Sequence, residues 1–93
     1  MEFEWDPDKD AWTFQVRGLS FAYAIRAFLD PDRLDEADVR RNYGEIRRRV
    51  IALIDEDIYV VIYTFRGDRL RIISARRARR DEKRTYSQGQ AAS

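Results

Sequence analysis

The sequence predicts an α+β domain in which helices near both ends of the chain pack on a small antiparallel sheet. Three features carry this prediction: a β-hairpin, a short amphipathic helix before it and a helix-forming segment after it. The hairpin gives the strongest signal. Residues 59–66 and 69–76 are rich in β-branched and aromatic side chains, and the Gly67-Asp68 pair between them suits a tight turn.

The two helices are predicted from spacing and from capping residues. Residues 21–29 follow Ser20, a residue type that caps helix N-termini, and Asp30-Pro31 ends the segment because the residue before proline avoids the helical region. The apolar side chains that fall on one helical face are Phe21, Ala24, Ile25, Phe28 and Leu29. Residues 79–86 combine strong helix formers with mixed charge and predict a C-terminal helix.

A third strand completes the expected sheet. Residues 45–54 have a basic start and an apolar end, which predicts a strand that becomes buried along its length. An acidic turn at residues 55–57 leads into the hairpin, so the three strands form an antiparallel meander. Residues 32–43 are charged and predict a solvated loop or a weak helix. The chain is expected to be one domain of residues 1–88 with a frayed polar tail at residues 89–93.

The N-terminal segment carries conflicting signals. Residues 1–5 alternate apolar and acidic side chains and predict a short edge strand. Asp6-Pro7 is typical of a helix start, with aspartate at the cap and proline at the first helical position. Residues 12–17, however, alternate apolar and polar side chains with the period of a strand. On the residues alone, we expect residues 12–17 to form a strand that pairs with residues 1–5 as a hairpin.

The charge of the chain is nearly balanced overall but is divided between its halves. Lysine plus arginine total 18, aspartate plus glutamate total 17, and 38% of the residues are charged. Residues 1–40 carry ten acids and five bases, a net of −5, whereas residues 66–86 carry three acids and nine bases, a net of +6. The basic segment favours an anionic partner or an acidic protein. The alternative is pairing of the two halves within the molecule.

Several classes of site are excluded by residue types that the sequence lacks. Without cysteine there is no disulfide or thiolate metal site, and without histidine the usual general base and the commonest metal ligand are missing. The glycines are scattered and form no phosphate-binding loop. No apolar run is long enough to cross a bilayer, and no signal-peptide pattern is present. We therefore expect a soluble cytoplasmic protein with no cofactor, no metal and no membrane association.

The chemistry that remains is that of arginine. A guanidinium group binds phosphate through two parallel hydrogen bonds and can stabilise a pentavalent phosphorus by electrostatics alone. RNA supplies its own nucleophile, the 2′-hydroxyl, so a protein that orients this group and neutralises the phosphate can cleave RNA without a metal ion. The alternative for any single arginine is a place on the solvated face of the sheet.

The candidate site residues lie at strand ends and at the hairpin turn, where separate strands can bring side chains together. The catalytic candidates are Glu45, Arg47, Arg66 and Arg76. Glu45 lies two residues before Arg47, on the same strand face, and is a pairing partner or a proton acceptor. The substrate-binding candidates are Arg69, Arg71, Tyr63 and Tyr86. The tyrosines suit stacking on a base, and the alternatives are core packing of Tyr63 and helix docking by Tyr86.

Five short motifs follow one another along the chain. In order they are Glu4-Trp5-Asp6-Pro7-x-Lys9, Gly18-Leu19-Ser20-Phe21, Gly44-Glu45-x-Arg47, Arg71-Ile72-Ile73-Ser74-Ala75-Arg76-x-Ala78 and Glu82-x-Arg84-x-Tyr86. In this order they resemble the BrnT family, the ribonuclease toxins of BrnT/BrnA type II toxin–antitoxin systems. The resemblance covers nearly the whole chain, and residues 71–78 are its most specific part.

The resemblance implies a RelE-like fold, in which N-terminal helices pack on an antiparallel sheet and residues 7–17 form a helix. It implies cleavage of messenger RNA, which arrests translation, and neutralisation by a BrnA-like ribbon-helix-helix antitoxin. It also implies a heterotetramer of toxin and antitoxin, with a homodimer as the alternative assembly. DNA would be contacted only indirectly, through the antitoxin.

One motif of the family is altered in this sequence. Where the family has Asn, Lys and His in N-x-x-K-H-G, this chain has Thr13, Val16 and Arg17. Arg17 keeps a positive charge, which makes it a further catalytic candidate, but it cannot shuttle a proton near neutral pH. Two functions stay open: an active endoribonuclease, and a degenerate relative that only binds its antitoxin. Nucleic-acid binding without cleavage is a third and weaker alternative.

Overall fold

The structure is a computed structural model that describes residues 2–39 and 44–91. Its strands and helices, in chain order, are β1 (Glu2–Trp5), α1 (Pro7–Arg17), α2 (Phe21–Ala24, continued by a 3₁₀ turn at Ile25–Leu29), β2 (Leu34–Asp38), β3 (Arg47–Ile54), β4 (Asp57–Arg66), β5 (Arg69–Arg77) and α3 (Arg80–Ala91). The strands form one mixed sheet in the order β1-β5-β4-β3-β2. The expected α+β class is confirmed.

The meander of β3, β4 and β5 is antiparallel, as the sequence predicts. β4 and β5 are joined through Gly67, whose φ of 61° lies in the left-handed region that glycine enters without a steric penalty. Asp55 has a φ of 56° in the turn between β3 and β4, and aspartate adopts this region more readily than most residues do. Both predicted turns therefore form from local residue chemistry.

α1 is a helix because its two ends are capped. The Asp6 carboxylate accepts a hydrogen bond from the backbone amide of Asp8 at 2.9 Å. Gly18 ends the helix with a φ of 68°, and its amide donates back to the last turn. The Asp10 carboxylate accepts from the amide of Phe21 at 2.8 Å, which joins the first turn of α1 to the start of α2.

The strand expected at residues 12–17 is wrong, and the helix that the family resemblance implies is confirmed. Trp12, Phe14 and Val16 are 47%, 58% and 60% exposed, so their alternation does not mark a buried strand face. β1 lies at the sheet edge as expected, but residues 2–5 pair in parallel with β5 and not in a hairpin.

β2 corrects the expectation of a loop or weak helix for this acidic segment. It pairs antiparallel with β3, and its acids meet the arginines of that strand. Arg48 donates to Asp35 at 2.7 Å, and Arg49 forms an ion pair with Glu36. Pairing of acids and bases within the molecule, the alternative to an anionic partner, thus accounts for part of the charge pattern. The end of the segment, residues 40–43, lies outside the described residues.

The sheet has helices on both faces. α2 lies on one face, called here the N-terminal face, whose core includes Phe21, Val61 and Ile72, and α1 contacts both α2 and β5. α3 packs on the opposite face, called here the α3 face, over a smaller core that includes Val60 and Tyr86. This second core lies at one end of the α3 face. The other end of the face is polar and open.

α3 continues beyond the end at residue 86 that the sequence predicts, and it reaches Ala91. It therefore includes the first residues of the segment expected to be a frayed tail. Within the described ranges, no helix combines the length and the apolar character needed to cross a membrane.

Candidate functional site

The open end of the α3 face gathers arginine side chains from three strands. Arg47 begins β3, Arg66 ends β4 and Arg71 lies in β5, and the strand register places all three on this face. They border a cleft of about 270 Å³. The residues that line it are Asp6, Lys9, Glu45, Arg47, Arg66, Arg71, Ile72 and Ile73. Three of the predicted catalytic residues and one predicted substrate-binding residue therefore lie together.

A bulge in β5 decides which arginines share this face. The register of β5 against β4 shifts between Ile62 and Tyr63, and Ile73 is the extra residue on β5. Side chains alternate along a regular strand, so the odd spacing of Arg71 and Arg76 would place them on opposite faces. The bulge places both on the α3 face.

The three cleft arginines differ in their partners. The Nε of Arg47 donates to Glu45 at 3.1 Å, and the Nη1 of Arg71 donates to Glu4 at 2.7 Å. The side chain of Arg66 is exposed and forms no hydrogen bond or ion pair with any residue that the structure describes. It is therefore the cleft cation with the least to displace when an anion arrives.

Thr64 lies between two of these arginines and fixes the start of β3. It is the register partner of Arg47 on one side and of Arg71 on the other. Its side chain is buried, and its hydroxyl donates to the carbonyl of Ile46 at 2.5 Å. Because Ile46 separates Glu45 from Arg47, this hydrogen bond anchors the segment that carries both cleft residues.

Arg76 lies on the same face but at the end that α3 covers. Its guanidinium donates to the two carboxylate oxygens of Glu82 at 2.7 and 2.8 Å. Glu82 also accepts the amide of Arg79 at 2.8 Å and lies 3.8 Å from Arg49. The hydrogen bonds from Arg76 lower the pKa of Glu82 to about 2, although burial opposes the shift. Arg76 is thus bound by an acid of α3, outside the cleft lining.

Arg17 and Arg69 also lie outside the cleft lining. The Nη1 of Arg17 donates to the carbonyl of Ala75 at 2.8 Å, and its guanidinium carbon lies 5.3 Å from the centroid of the Trp12 ring. Arg69 forms an ion pair of 3.2 Å with Glu2 beside the hairpin turn. The structure therefore separates both arginines from the cations that line the cleft.

The two tyrosines are buried. The Tyr63 hydroxyl donates to Asp35 at 2.6 Å on the N-terminal face, and burial together with this carboxylate raises the pKa of Tyr63 to about 12. The Tyr86 hydroxyl donates to Asp30 at 2.6 Å, and burial together with that carboxylate raises the pKa of Tyr86 well above its ordinary value. Core packing of Tyr63 and helix docking by Tyr86 are therefore confirmed, and neither ring offers an open face for a base.

Two charged cleft residues are absent from the sequence-based set of candidates. Lys9 and Asp6 reach the cleft from the start of α1. These two residues are missed when residues 12–17 are assigned to a strand, whereas the structure has a helix at residues 7–17 whose first turn brings Lys9 to the cleft. The signal that could have found Lys9 is its place in the family motif that begins at Glu4.

A family model described as the ribonuclease toxin BrnT of type II toxin–antitoxin systems matches residues 5–82 of the chain. The matched range contains every residue that lines the cleft, and also the Arg76–Glu82 pair. No curated protein sequence matches the chain.

Proposed function

We propose that this chain, which belongs to the BrnT family of ribonuclease toxins, is an active endoribonuclease that cleaves messenger RNA with arginine side chains and without a metal ion. The observation that carries the proposal is the convergence of Arg47, Arg66 and Arg71 from three strands beside Glu45. Cations that a sheet already holds in place need little reorganisation during a reaction, which is the condition for strong electrostatic stabilisation.

The proposed reaction moves the phosphorus from a 5′-oxygen to a neighbouring 2′-oxygen. The 2′-hydroxyl attacks phosphorus, the bond from phosphorus to the 5′-oxygen breaks, and the products are a 2′,3′-cyclic phosphate and a 5′-hydroxyl. The Glu45 carboxylate accepts the proton of the 2′-hydroxyl, and water returns a proton to the leaving oxygen. The guanidinium groups stabilise the charge that develops on the non-bridging oxygens.

The partners of the cleft arginines suggest an order of events. The phosphate meets Arg66 first, because this cation has no described partner to release. It then competes with Glu45 for Arg47, and with Glu4 for Arg71. Displacement from Arg47 frees the Glu45 carboxylate to act as the base, so binding and activation are the same event.

The remaining catalytic candidates have positioning roles in this proposal. Arg76 holds α3 on the sheet through Glu82. Arg17 holds the end of α1 against β5 through the carbonyl of Ala75. Both act at a distance from the reacting phosphate, by keeping the elements around the cleft in place.

Family membership implies an antitoxin as the partner of this toxin. We propose that the antitoxin is a BrnA-like ribbon-helix-helix protein, that the two assemble as a heterotetramer in the cytoplasm, and that DNA is contacted only through the antitoxin. A toxin freed from this complex would arrest translation by cutting messenger RNA.

A degenerate toxin that only binds its antitoxin is the second candidate. Val16 and Arg17 favour it, because they stand where the family has Lys and His and because Arg17 is held by a backbone carbonyl. This candidate predicts tight antitoxin binding by a protein that leaves RNA intact.

The two candidates are separated with a DNA oligonucleotide that contains a single ribonucleotide. The purified chain is incubated with it in EDTA, and the products are identified by mass spectrometry. The proposal predicts one cut, after the ribonucleotide, that leaves a 2′,3′-cyclic phosphate. An all-deoxy strand is the matched control and stays intact.

Intact substrate at micromolar protein, from a preparation that still binds its antitoxin tightly, would overturn the ribonuclease proposal in favour of the degenerate toxin. Cleavage that requires an added divalent cation would overturn the metal-independent mechanism and leave the activity itself standing.

A further inference from the structure

Trp12 projects from the exposed side of α1 and is flanked by two cations. The side chain is 47% exposed, so a large part of the indole is accessible to solvent. The Nζ of Lys9 lies 5.5 Å from the ring centroid, and the guanidinium carbon of Arg17 lies 5.3 Å from it. Such cation–π contacts hold an aromatic ring in place at the surface.

Lys9 joins this ring to the cleft. The same side chain that lies over Trp12 also lines the cleft with Arg47, Arg66 and Arg71. Arg17 is the second cation over the Trp12 ring, and its hydrogen bond to the carbonyl of Ala75 fixes its guanidinium against β5. Lys9 therefore lies between the Trp12 indole and the proposed phosphate site and contacts both.

We infer that Trp12 is a stacking platform for the base of a nucleotide next to the scissile phosphate, with Lys9 binding the phosphate between the two sites. This inference rests on the proposed ribonuclease function and adds a substrate contact to it. Successive bases of single-stranded RNA stack on aromatic side chains beside a positively charged groove, and this stacking tolerates any base because every base has a π face.

RNA fits this surface better than an apolar protein segment does. Lys9 and Arg17 beside the indole are cations that can pair with phosphates, and they would lose solvation under an apolar partner. Phe14 provides the comparison within the same helix. It is 58% exposed, yet no cation lies over its ring among the described residues, and it does not line the cleft.

Arg17 acquires a specific role under this inference. It is a positioning residue that keeps the Trp12 ring beside the cleft, and it does not contact the reacting phosphate. Arg17 then serves substrate binding and not proton transfer.

The test is fluorescence of Trp12 during titration with RNA. Trp5 is replaced by Phe so that Trp12 is the remaining indole of the chain. The probe is a 2′-O-methyl hexanucleotide, which lacks the nucleophile and cannot be cut. We expect strong quenching on binding. An abasic oligonucleotide of the same length and charge should bind through its phosphates and leave the fluorescence nearly unchanged.

Two substitutions separate stacking from apolar bulk, with affinity for the hexanucleotide measured by fluorescence anisotropy of a labelled strand. Trp12→Phe keeps a π face and should bind within a few-fold of the parent. Trp12→Leu keeps apolar bulk without a π face and should bind roughly 5- to 140-fold more weakly, the range expected for loss of one stacked base. Phe14→Leu is the matched control and should bind like the parent.

Equal affinities for the Phe and Leu variants at Trp12, or equal quenching by the abasic strand, would overturn the inference. So would a Trp12→Leu protein that binds RNA normally but loses affinity for the antitoxin, because Trp12 would then belong to a protein interface. In each case continued cleavage of the single-ribonucleotide substrate would leave the proposed function intact. Failure of the proposed function is distinct, since that substrate would then stay uncut by the parent chain.

Discussion

The two ends of the α3 face carry the same residue type in opposite circumstances. At the covered end, Arg76 forms two hydrogen bonds with Glu82, whose side chain lies buried beneath α3. At the open end, Arg66 has no partner among the described residues and lines a cleft. Both arginines lie on neighbouring antiparallel strands. α3 supplies an acidic partner to Arg76, whereas no α3 residue lines the cleft of Arg66, so Arg66 stays available to a ligand.

The comparison shows that the presence or absence of an acidic partner indicates the role of an arginine better than its charge alone does. A buried carboxylate needs its arginine, because an ion left unpaired in a desolvated site is costly. An exposed arginine keeps its solvation and can exchange water for a phosphate. Arg47 and Arg71 lie between these limits, since each must release an acid before it binds an anion fully.

The largest expected effect is at Arg66. Arg66→Gln should slow single-turnover cleavage of the single-ribonucleotide substrate roughly 100- to 1,000-fold, the loss typical of one preorganised donor. Arg69→Gln is the matched control, because Arg69 lies across the same hairpin turn but pairs with Glu2 outside the cleft lining. Its rate should stay close to that of the parent. Equal losses in the two variants would remove the distinction between cleft arginines and surface arginines.

Substitution of Arg76, at the covered end of the α3 face, should lower the stability of the fold. Arg76→Ala should lower the free energy of unfolding by about 3 kcal/mol, since it leaves the buried Glu82 carboxylate with weaker partners. Urea denaturation followed by circular dichroism measures this. The double variant R76A/E82A should recover part of the loss, because the unpaired charge is then gone. A fully stable Arg76→Ala protein that no longer cleaves RNA would make Arg76 catalytic and break the comparison.

Low pH should destabilise the fold by protonating Glu82, the acid that pairs with Arg76 at the covered end. The pKa of this carboxyl falls from 4.5 to about 2 on folding, chiefly because Arg76 donates hydrogen bonds to it. A carboxyl whose pKa is lowered on folding stabilises the fold at any pH above its ordinary pKa of 4.5. This contribution is lost as the pH falls from 4.5 toward 2. The denaturation midpoint of the parent should therefore approach that of Glu82→Gln over this interval. A constant gap between the two midpoints would show that Glu82 does not titrate with the fold.

The smallest expected effect is at Tyr86. Tyr86→Phe removes the buried hydrogen bond to Asp30 and should cost about 1.5 kcal/mol of stability, the lower end for a bond to a charged group. Asp30 keeps the amides of Leu53 and Asp32, which limits the loss. Urea denaturation measures the change, and the cleavage rate should be unaffected. A loss of cleavage without a loss of stability would return Tyr86 to the substrate site.

The sequence predicts elements whose causes are local. The β4–β5 hairpin follows from two strand-forming runs and from Gly67, and α1 has its capping residues in its own sequence. β2 escapes prediction because its partners are remote. Asp35 and Glu36 become strand residues by pairing with Arg48 and Arg49 on β3, and no pattern within β2 itself records this.

The candidate site divides in the same way. Strand ends and the hairpin turn correctly suggest that Arg47 and Arg66 lie close together. Arg76 is separated from them by strand register, because it lies opposite Val60 whereas Arg47 lies opposite Thr64. The face that Arg71 shares with Arg76 depends on the bulge at Ile73. Lys9 enters the cleft only when residues 7–17 are a helix. These are tertiary facts that residue spacing does not encode.

The most direct test of phosphate binding in the cleft is an NMR titration that follows the arginine side chains themselves. The Nε–H signals of ¹⁵N-labelled protein are followed by NMR while a 2′-deoxy oligonucleotide, which carries phosphates but no nucleophile, is added. We expect the signals of Arg47, Arg66 and Arg71 to shift together, while that of Arg76 stays fixed on Glu82. Movement of the Arg76 signal with an unchanged Arg66 signal would show that the phosphate binds at the covered end and not in the cleft.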